Sequence, residues 1–297
     1  MKIGYVIDHV QDEETGRIPS YTELKAMAQT AEAGGLDSIW VFDHLLFRYK
    51  PENTVGIWEC WTLLCALAEA TDSVELGTLV LCNPFRNPAL LAKMAHTLDE
   101  ISDGRLILGI GAGWHEPEFD AFGFPFDHRV GRLEESLQIL QPLLKGKTVD
   151  FAGEYYQAKN CVVTPAGPRP DGIPLLMGAF GPRMLRLTAE YADMWNTVWH
   201  GDVAGTTERV AKVKAACEAA GRDPATLTIT AGLSVAYPDL GSARPFAREP
   251  LGGSATEVAD AFAAYEAAGI SHLIVQATPT GPESLARLLE AVAAYRG

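Results

Sequence analysis

The sequence predicts a single parallel α/β barrel, the (β/α)8 or TIM-barrel fold, as one domain over residues 1–297. Eight strand-like segments alternate with eight helix-like segments, whereas an open doubly wound sheet usually stops at about six strands. With 47% hydrophobic residues, the chain can fill a large core. In such a barrel the first strand pairs with the last, and the active site lies at the carboxyl ends of the strands.

Each strand prediction rests on a short apolar run bounded by polar or turn-forming residues, and each helix prediction on apolar residues spaced three and four apart. Three helices begin with a capping-box pattern, in which Ser20, Ser254 or Thr280 is followed three residues later by Glu. The predicted strands cover residues 2–7, 38–42, 74–81, 106–110, 174–177, 194–198, 227–235 and 273–276. The predicted helices cover residues 22–33, 57–70, 88–101, 130–144, 182–190, 206–220, 255–268 and 282–295.

Three connections are longer than a barrel needs, and they are expected to cover its C-terminal face. The insertion at residues 146–174 contains two short strand-like pieces around a turn at 152–154, which predict a small hairpin. The segments 45–56 and 236–253 carry no motif, and the second is rich in Gly and Pro. We expect these loops to shape the substrate pocket.

The charge and the cysteines exclude several classes of function. A formal net charge of −14, with no run of Lys or Arg, argues against nucleic acid or an anionic membrane as a partner. The five cysteines are odd in number and form no C-x-x-C pair, which predicts reduced thiols. The chain begins as a strand without a signal-peptide pattern, and no apolar run approaches about 18 residues. We therefore expect a cytoplasmic protein without a membrane segment.

The most informative segment is RLILGIGAGW at residues 105–114, which approaches a dinucleotide-binding fingerprint and then departs from it. Trp114 occupies the place of the motif's third glycine, and no helix opens at once on a phosphate. We interpret the segment as a strand that ends in a ligand site beside Trp114, with His115 and Glu116 as proton donors or acceptors. The alternative is that the glycines serve barrel packing and that Trp114 is core. The small residues that would leave room for a flat ring are Gly111, Ala112 and Gly113.

Polar residues also follow the second and third strands. Asp43 and His44 place an acid beside the side chain that titrates nearest neutrality, which suits proton transfer or hydrogen bonding to a cofactor ring. An equal alternative makes Asp43 a loop cap and His44 a solvated histidine. Asn83 and Arg86 reach the same face, although Asn before Pro is also an ordinary turn.

The fifth strand runs directly into a helix through GAFGPR at residues 178–183, where bare backbone N–H groups and Arg183 could hold a phosphate. A tight strand-to-helix turn would use the same residues. On the sixth strand, Trp195 and Trp199 suit a flat or apolar substrate, unless they belong to the core. The remaining histidines lack the spacing of metal ligands and no nucleophile motif is present, so neither a metal nor a catalytic triad is expected.

Long segments of the chain resemble the luciferase-like monooxygenase family, particularly its deazaflavin (coenzyme F420)-dependent oxidoreductases. They are DSIWVFDHL at 37–45, the stretches 76–126 and 252–276, and GAFGPRMLRLTAEYADMWN at 178–196. The block at 104–126 is specific to that family. The resemblance implies a bacterial luciferase-like TIM barrel, often a homodimer, whose open end binds a flavin or deazaflavin.

The resemblance also implies roles for individual positions. Asp43 and His44 match the acid–histidine pair beside the cofactor ring, with His44 as the residue that handles the proton. Leu79 and Val80 match a bulge of the third strand, often with a non-proline cis peptide bond, that supports the ring. Ala179, Phe180 and Gly181 match the backbone segment that holds the cofactor phosphate, and the phosphate site predicted from the residues themselves adds Gly178 and Arg183 on either side.

One departure from the family pattern concerns the substrate. Sugar-phosphate dehydrogenases of the family carry a glutamate proton donor where this chain has Trp114, which argues for an apolar or aromatic substrate. Glu116 is the nearest acid in the sequence that could replace that donor.

Three functional hypotheses follow from the resemblance. The first is an F420-dependent oxidoreductase that transfers a hydride between the deazaflavin and an unidentified organic substrate. The second is an FMN-dependent two-component monooxygenase, for which a partner reductase would supply reduced flavin. The third is a non-catalytic flavin-binding barrel, against which the presence of Asp43 and His44 argues.

Overall fold

The computed structural model describes residues 1–50, 52–241 and 245–297. Parts of two predicted loops, residue 51 in the segment 45–56 and residues 242–244 in the segment 236–253, lie outside the described residues. The described residues form thirteen strands, numbered in chain order. They are β1 (Lys2–Val6), β2 (Ser38–Val41), β3 (Phe47–Lys50), β4 (Asn53–Val55), β5 (Glu75–Thr78), β6 (Leu81–Cys82), β7 (Leu106–Gly111), β8 (Val149–Ala152), β9 (Gln157–Cys161), β10 (Leu175–Gly178), β11 (Met194–His200), β12 (Thr228–Ala236) and β13 (His272–Thr278).

Nine α-helices lie within the same residue ranges. They are α1 (Tyr21–Ala33), α2 (Cys60–Glu69), α3 (Pro88–Ile101), α4 (Glu116–Phe122), α5 (Arg129–Leu144), α6 (Pro182–Tyr191), α7 (Ala204–Ala219), α8 (Ala255–Ala267) and α9 (Pro282–Arg296). None of them is both long enough and apolar enough to cross a membrane.

The main sheet is parallel throughout and closes on itself. Its strand order is β10-β11-β12-β13-β1-β2-β5-β7-β6, and a further pairing of β10 with β7 closes the barrel. β1 pairs with both β13 and β2, so the predicted contact of the first strand with the last is confirmed. β5 and β6 are two parts of the predicted third strand, and Leu79 and Val80 lie between them. The fold is the predicted eight-stranded α/β barrel.

The core has two layers, and the inner one closes the lower end of the barrel. The larger apolar cluster packs between the strands and the helices, and a smaller one, including Trp40 and Ile107, fills the barrel interior. Beneath Trp40, the hydroxyl of Ser38 accepts the indole N–H of Trp40 at 2.7 Å and bonds the Nε2 of His272 at 2.7 Å. Burial lowers the pKa of His272 to about 3, so that ring is neutral. Ser38 begins β2 and His272 begins β13, so this hydrogen-bonded cluster occupies the end of the barrel where the strands start.

Helix starts follow the capping chemistry with two differences. Ser20 and Ser254 form the predicted capping boxes. The third box is wrong, because α9 has Gly281 as its N-cap and the hydroxyl of Thr280 instead donates to Asp8 at 2.8 Å. α2 begins three residues later than predicted, since the Glu59 carboxylate accepts the N–H groups of the first turn.

Two elements near the carboxyl ends of the strands are not in the sequence prediction. One is the β3–β4 hairpin within the segment 45–56, and the other is the seven-residue helix α4. The hairpin predicted within the insertion 146–174 is present as β8 and β9. Its turn is held by Glu135 of α5, which accepts the backbone N–H groups of residues 154–156 at 2.7–3.0 Å.

Candidate active site

A cavity of about 510 Å³ lies at the carboxyl ends of β2, β6, β7, β10 and β11. Its volume falls in the range of small-molecule sites, and aromatic and aliphatic side chains make up most of its wall. The structure brings together eleven of the predicted site residues here. They are Asp43, His44, Leu79, Val80, Gly111, Ala112, Gly113, Trp114, Gly178, Phe180 and Trp199.

His44 is held in this cavity by a buried carboxylate. Its Nδ1 lies 2.9 Å from Oε1 of Glu118, whose side chain is 1% exposed. The other oxygen of Glu118 accepts the backbone N–H of Leu45 at 2.8 Å. Because a carboxylate only accepts hydrogen bonds, Nδ1 carries the proton, and Nε2 is the nitrogen available to a bound molecule. This arrangement fits proton exchange at Nε2.

Asp43 has a different partner from its neighbour. Both of its carboxylate oxygens pair with the guanidinium of Arg86, at 2.7 and 3.0 Å, and one also accepts the N–H of Cys82 at 2.7 Å. Arg86 in turn bonds Glu59 at 2.8 Å. Burial alone would lower the pKa of Arg86, but the Asp43 carboxylate outweighs burial and raises it. Asp43 therefore ties β2 to the chain after β5, and its carboxylate is occupied.

The floor of the cavity is built around Leu79 and Val80, and the peptide bond between them is cis. The resemblance implies this bond at this place. An added Cβ at Gly111 would lie 2.9 Å from a methyl of Val80, and one at Gly178 would lie 3.0 Å from it. These glycines therefore make room for Val80, and Val80 in turn lines the cavity. The space that the sequence analysis expected these small residues to leave for a bound ring is occupied by the side chain of Val80.

The segment 178–183 has the local features of an anion site. Gly181 precedes α6 with φ of +80°, and no side chain caps the first turn of this ten-residue helix. Its first N–H groups are thus available to a bound anion. The prediction that Arg183 helps to hold the phosphate is wrong. Its guanidinium pairs with Glu134 at 2.5 Å, and the side chain lines a separate surface cavity together with Tyr155. The cation is therefore already neutralised.

Three further predicted residues do not line the cavity. Trp195 points away from the cavity into the layer beneath the helices, where it is 1% exposed and its indole donates to the carbonyl of Ala179 at 3.0 Å. The Ala179 methyl packs in the same layer. Asn83 is buried and faces the hydroxyl of Tyr156 at 3.5 Å. The side chains of Trp195 and Asn83 therefore lie outside the site predicted for them, whereas the prediction for Ala179 concerns its backbone and stays a prediction.

His115 and Glu116 are also corrected. His115 is buried and its Nε2 accepts the backbone N–H of Arg48 at 2.9 Å, so it fixes the start of the β3–β4 hairpin. Burial lowers the pKa of His115, in keeping with a neutral ring that accepts this bond. Glu116 begins α4 at the surface, exposed, and does not line the cavity. The acid that reaches the site is Glu118, two residues further along.

The cavity is also lined by residues that the sequence prediction does not name as site residues, among them Glu118, Asn196 and Phe246. The side-chain oxygen of Asn196 accepts the hydroxyl of Thr230 at 2.7 Å, so its NH₂ group remains a donor for a ligand. The signal for Glu118 was its position beside the apolar Phe119 in a helical turn. Phe246 lies within the segment 236–253, which carries no motif, so the sequence holds no signal for it. Among the described residues, no group of three or more His, Cys, Asp or Glu could hold a metal ion.

With the barrel and cavity defined, comparison with known proteins identifies the family. The family model described as luciferase-like monooxygenase matches residues 1–243. The chain belongs to the luciferase-like monooxygenase family. The cavity at the carboxyl ends of its strands is therefore the candidate active site of a family member.

Two curated relatives within this family are named as enzymes of defined activity. The 5,10-methylenetetrahydromethanopterin reductase of Archaeoglobus fulgidus is 36% identical over 174 residues, which are 58% of this chain and 48% of that protein. The F420-dependent glucose-6-phosphate dehydrogenase of Amycolatopsis mediterranei is 36% identical over 175 residues, 57% of this chain and 50% of that protein. The chain thus spans about half the length of these relatives.

A solved structure supports the fold over the whole chain. An F420-dependent secondary alcohol dehydrogenase, in complex with an F420–acetone adduct, superposes with a TM-score of 0.81 at 21% identity. The match covers 100% of this chain and 99% of that one. The luciferase-like barrel is therefore common to both proteins.

The pairing of His44 with Glu118 generates a test. Glu118→Gln keeps the side-chain size but lets the group donate as well as accept, so we expect His44 to lose its single Nδ1–H tautomer. ¹⁵N NMR of the labelled imidazole measures the tautomer, and the rate of any turnover should fall about tenfold or more. Glu116→Gln, a matched exposed control, should change neither. An unchanged tautomer in Glu118→Gln would contradict the role of Glu118.

The pairing of Asp43 with Arg86 generates a second test, of stability. Arg86→Met leaves a buried carboxylate without its cation, and we expect a loss of about 3–5 kcal/mol in the free energy of unfolding, measured with urea. Arg287→Met, which breaks an exposed pair with Asp239, is the control and should leave the unfolding midpoint nearly unchanged. Equal effects of the two substitutions would show that the buried pair has no special weight.

Proposed function

We propose that the protein is an F420-dependent oxidoreductase that transfers a hydride between the deazaflavin and a small organic substrate. The observation that carries the proposal is His44, which lines a largely apolar cavity and is fixed by Glu118 through Nδ1, so that Nε2 is left for a ligand. Relatives named as F420-dependent within the same family support the choice of cofactor. Coenzyme F420 is therefore the first candidate and FMN the alternative.

The residues of the cavity fit such a cofactor. Leu79 and Val80 form an apolar floor suited to a flat ring, and the NH₂ group of Asn196 is a donor for a ring carbonyl. The uncapped N–H groups at the start of α6 suit a phosphate attached to the ring. The family resemblance assigns the phosphate to the backbone of Ala179, Phe180 and Gly181, directly before this helix.

The chain's own residues would position the reactants and move one proton. When bound, the deazaflavin supplies or accepts the hydride. His44 gives a proton to the substrate, or takes one from it, at Nε2, while Glu118 stabilises the imidazolium form. The apolar wall excludes water from the reacting atoms. Asp43 and Arg86 hold the end of β2, so that His44 keeps its place.

The same proposal extends to location and partners. The family resemblance supports a homodimer and a flavin or F420 reductase that supplies reduced cofactor. The charge of −14 supports a small molecule as the substrate and disfavours nucleic acid and anionic membranes. We place the protein in the cytoplasm because its cysteines are expected to be reduced thiols.

Titration with each oxidised cofactor tests the proposal. Fluorescence of F420 and of FMN is followed as the protein is added, and we expect binding of F420 in preference to FMN. His44→Ala should keep the F420 affinity within about tenfold, or 1.4 kcal/mol, because His44 handles a proton and does not anchor the cofactor. The same variant should lose most of the oxidation of reduced F420 by a panel of ketones.

Three results would count against these assignments. Tight binding of FMN with none of F420 would favour the two-component monooxygenase. Unchanged turnover in His44→Ala would remove His44 from proton transfer. Cofactor binding without oxidation of reduced F420 by any compound in the panel would favour the non-catalytic barrel.

A further inference from the structure

The cavity also indicates a class of substrate. Resting on the proposed function, we propose that the organic substrate is an uncharged, flat aromatic carbonyl compound that packs against Trp114 beside His44. The argument depends on the placement of aromatic rings, on the charges of the wall and on a second cavity that adjoins the first.

Trp114 stands next to the residue that handles the proton. Its indole meets the His44 ring at 5.5 Å between centroids, with the planes at 77°, and the side chain is 58% exposed. A reacting oxygen within hydrogen-bond reach of Nε2 is therefore also close to the indole. An aromatic group attached to that reacting centre would cover apolar surface that water now contacts. An exposed tryptophan at this place thus favours a substrate with a ring.

A second aromatic cluster lines the same cavity. Phe246 packs against Phe42 at 5.1 Å and against Trp199 at 5.0 Å between centroids. The rings of Phe246 and Trp199 are inclined by only 35°. Ring faces and edges on both clusters suit a planar molecule, because stacked and edge-to-face aromatic pairs gain free energy beyond that of area burial. A non-planar aliphatic molecule of the same size would make none of these ring-to-ring contacts.

The charges of the wall exclude an anion. Of the described residues that line the cavity, none is Lys or Arg. The two carboxylates, Asp43 and Glu118, are already paired with Arg86 and His44. A substrate with a phosphate or carboxylate at the reacting end would lose its hydration without gaining a counter-ion, which is unfavourable. The substrate is therefore uncharged where it enters this cavity.

The adjoining space sets the size of the substrate. A second cavity of about 670 Å³ shares Phe47, Tyr49 and Phe246 with the first. Among its described lining residues the only guanidinium or ammonium group is that of Arg17, which pairs with Glu23. A substituent on the aromatic substrate can thus extend past these three rings, and a negative charge on it again meets no free cation among the described residues.

The reaction at such a substrate balances with the groups already proposed. In the reducing direction, His44 would first take a proton from solvent at Nε2 and become the imidazolium; the carbonyl carbon would then receive a hydride supplied by the reduced deazaflavin, and the oxygen would receive the proton from Nε2. The C=O double bond becomes a C–OH group. The electron pair moves with the hydride, and the oxidised deazaflavin and a neutral His44 remain.

Four matched probes test the substrate class by calorimetry: a naphthyl methyl ketone, its carboxamide and carboxylate derivatives, and the fully saturated analogue of the parent ketone. They are titrated into the cofactor-free protein and into protein loaded with oxidised F420. We expect the naphthyl ketone to bind at least about tenfold tighter than the saturated analogue. The carboxamide should bind at least about a hundredfold tighter than the carboxylate of the same shape.

Two variants assign the effect to the wall. Trp114→Leu should reduce the preference for the aromatic over the saturated ketone several-fold while F420 affinity stays unchanged. Trp58→Leu is the control, since Trp58 is also exposed and lines neither cavity; its indole bonds the carbonyl of Pro19, a residue at the wall of the second cavity. Equal binding of the aromatic and saturated ketones, binding of the carboxylate as tight as the carboxamide, or no binding of the naphthyl ketone at millimolar concentration would each overturn the proposal. Failure of F420 to bind would instead contradict the proposed function, and the cofactor-free titrations would still decide the substrate class.

Discussion

The hydrogen bond from Nδ1 of His44 to the buried carboxylate of Glu118 is the constraint on which the rest of the site depends. It joins His44, which follows β2, to Glu118 of α4, 74 residues further along the chain. It also decides which nitrogen of His44 carries a proton and which one a ligand can use. The same carboxylate holds the backbone of Leu45, so the loop that begins after His44 is fixed at its first step. The carboxylate of Glu118 therefore fixes both the position of His44 and the nitrogen at which His44 can exchange a proton.

Asp43 and His44, adjacent residues just after β2, thus have separate tasks, although the sequence analysis treats them as one pair. The carboxylate of Asp43 pairs with Arg86 and accepts the N–H of Cys82. These bonds align the interrupted third strand with β2. His44 is left as the only imidazole in the wall of the described cavity. A buried pair such as Asp43 and Arg86 adds little net stability compared with apolar packing, but it is costly to break. Its effect here is to keep the cavity's polar groups few and in fixed positions.

The sequence predicted the barrel well because alternating strands and helices are long-range patterns that survive errors at single positions. The same reasoning could not tell which side of β11 faces inward, since period-two alternation separates Trp195 from Asn196 without saying which is inside. Trp199 does line the cavity, because the register of β11 with β12 shifts between Thr197 and His200. α4 is only seven residues long, too short for a periodic signal, so Glu116 was chosen although Glu118 turns inward. Pairings such as His44 with Glu118 require the fold itself.

The most direct measurement of the central claim is a crystal structure of the protein with oxidised F420 bound. The account predicts the ring against Leu79 and Val80, the phosphate at the start of α6, and Nε2 of His44 within about 3.2 Å of the reacting end of the cofactor or of a bound substrate. His44 should still bond Glu118 through Nδ1 in that complex. A ring bound outside this cavity, or a His44 turned away from it with Glu118 unpaired, would contradict the account.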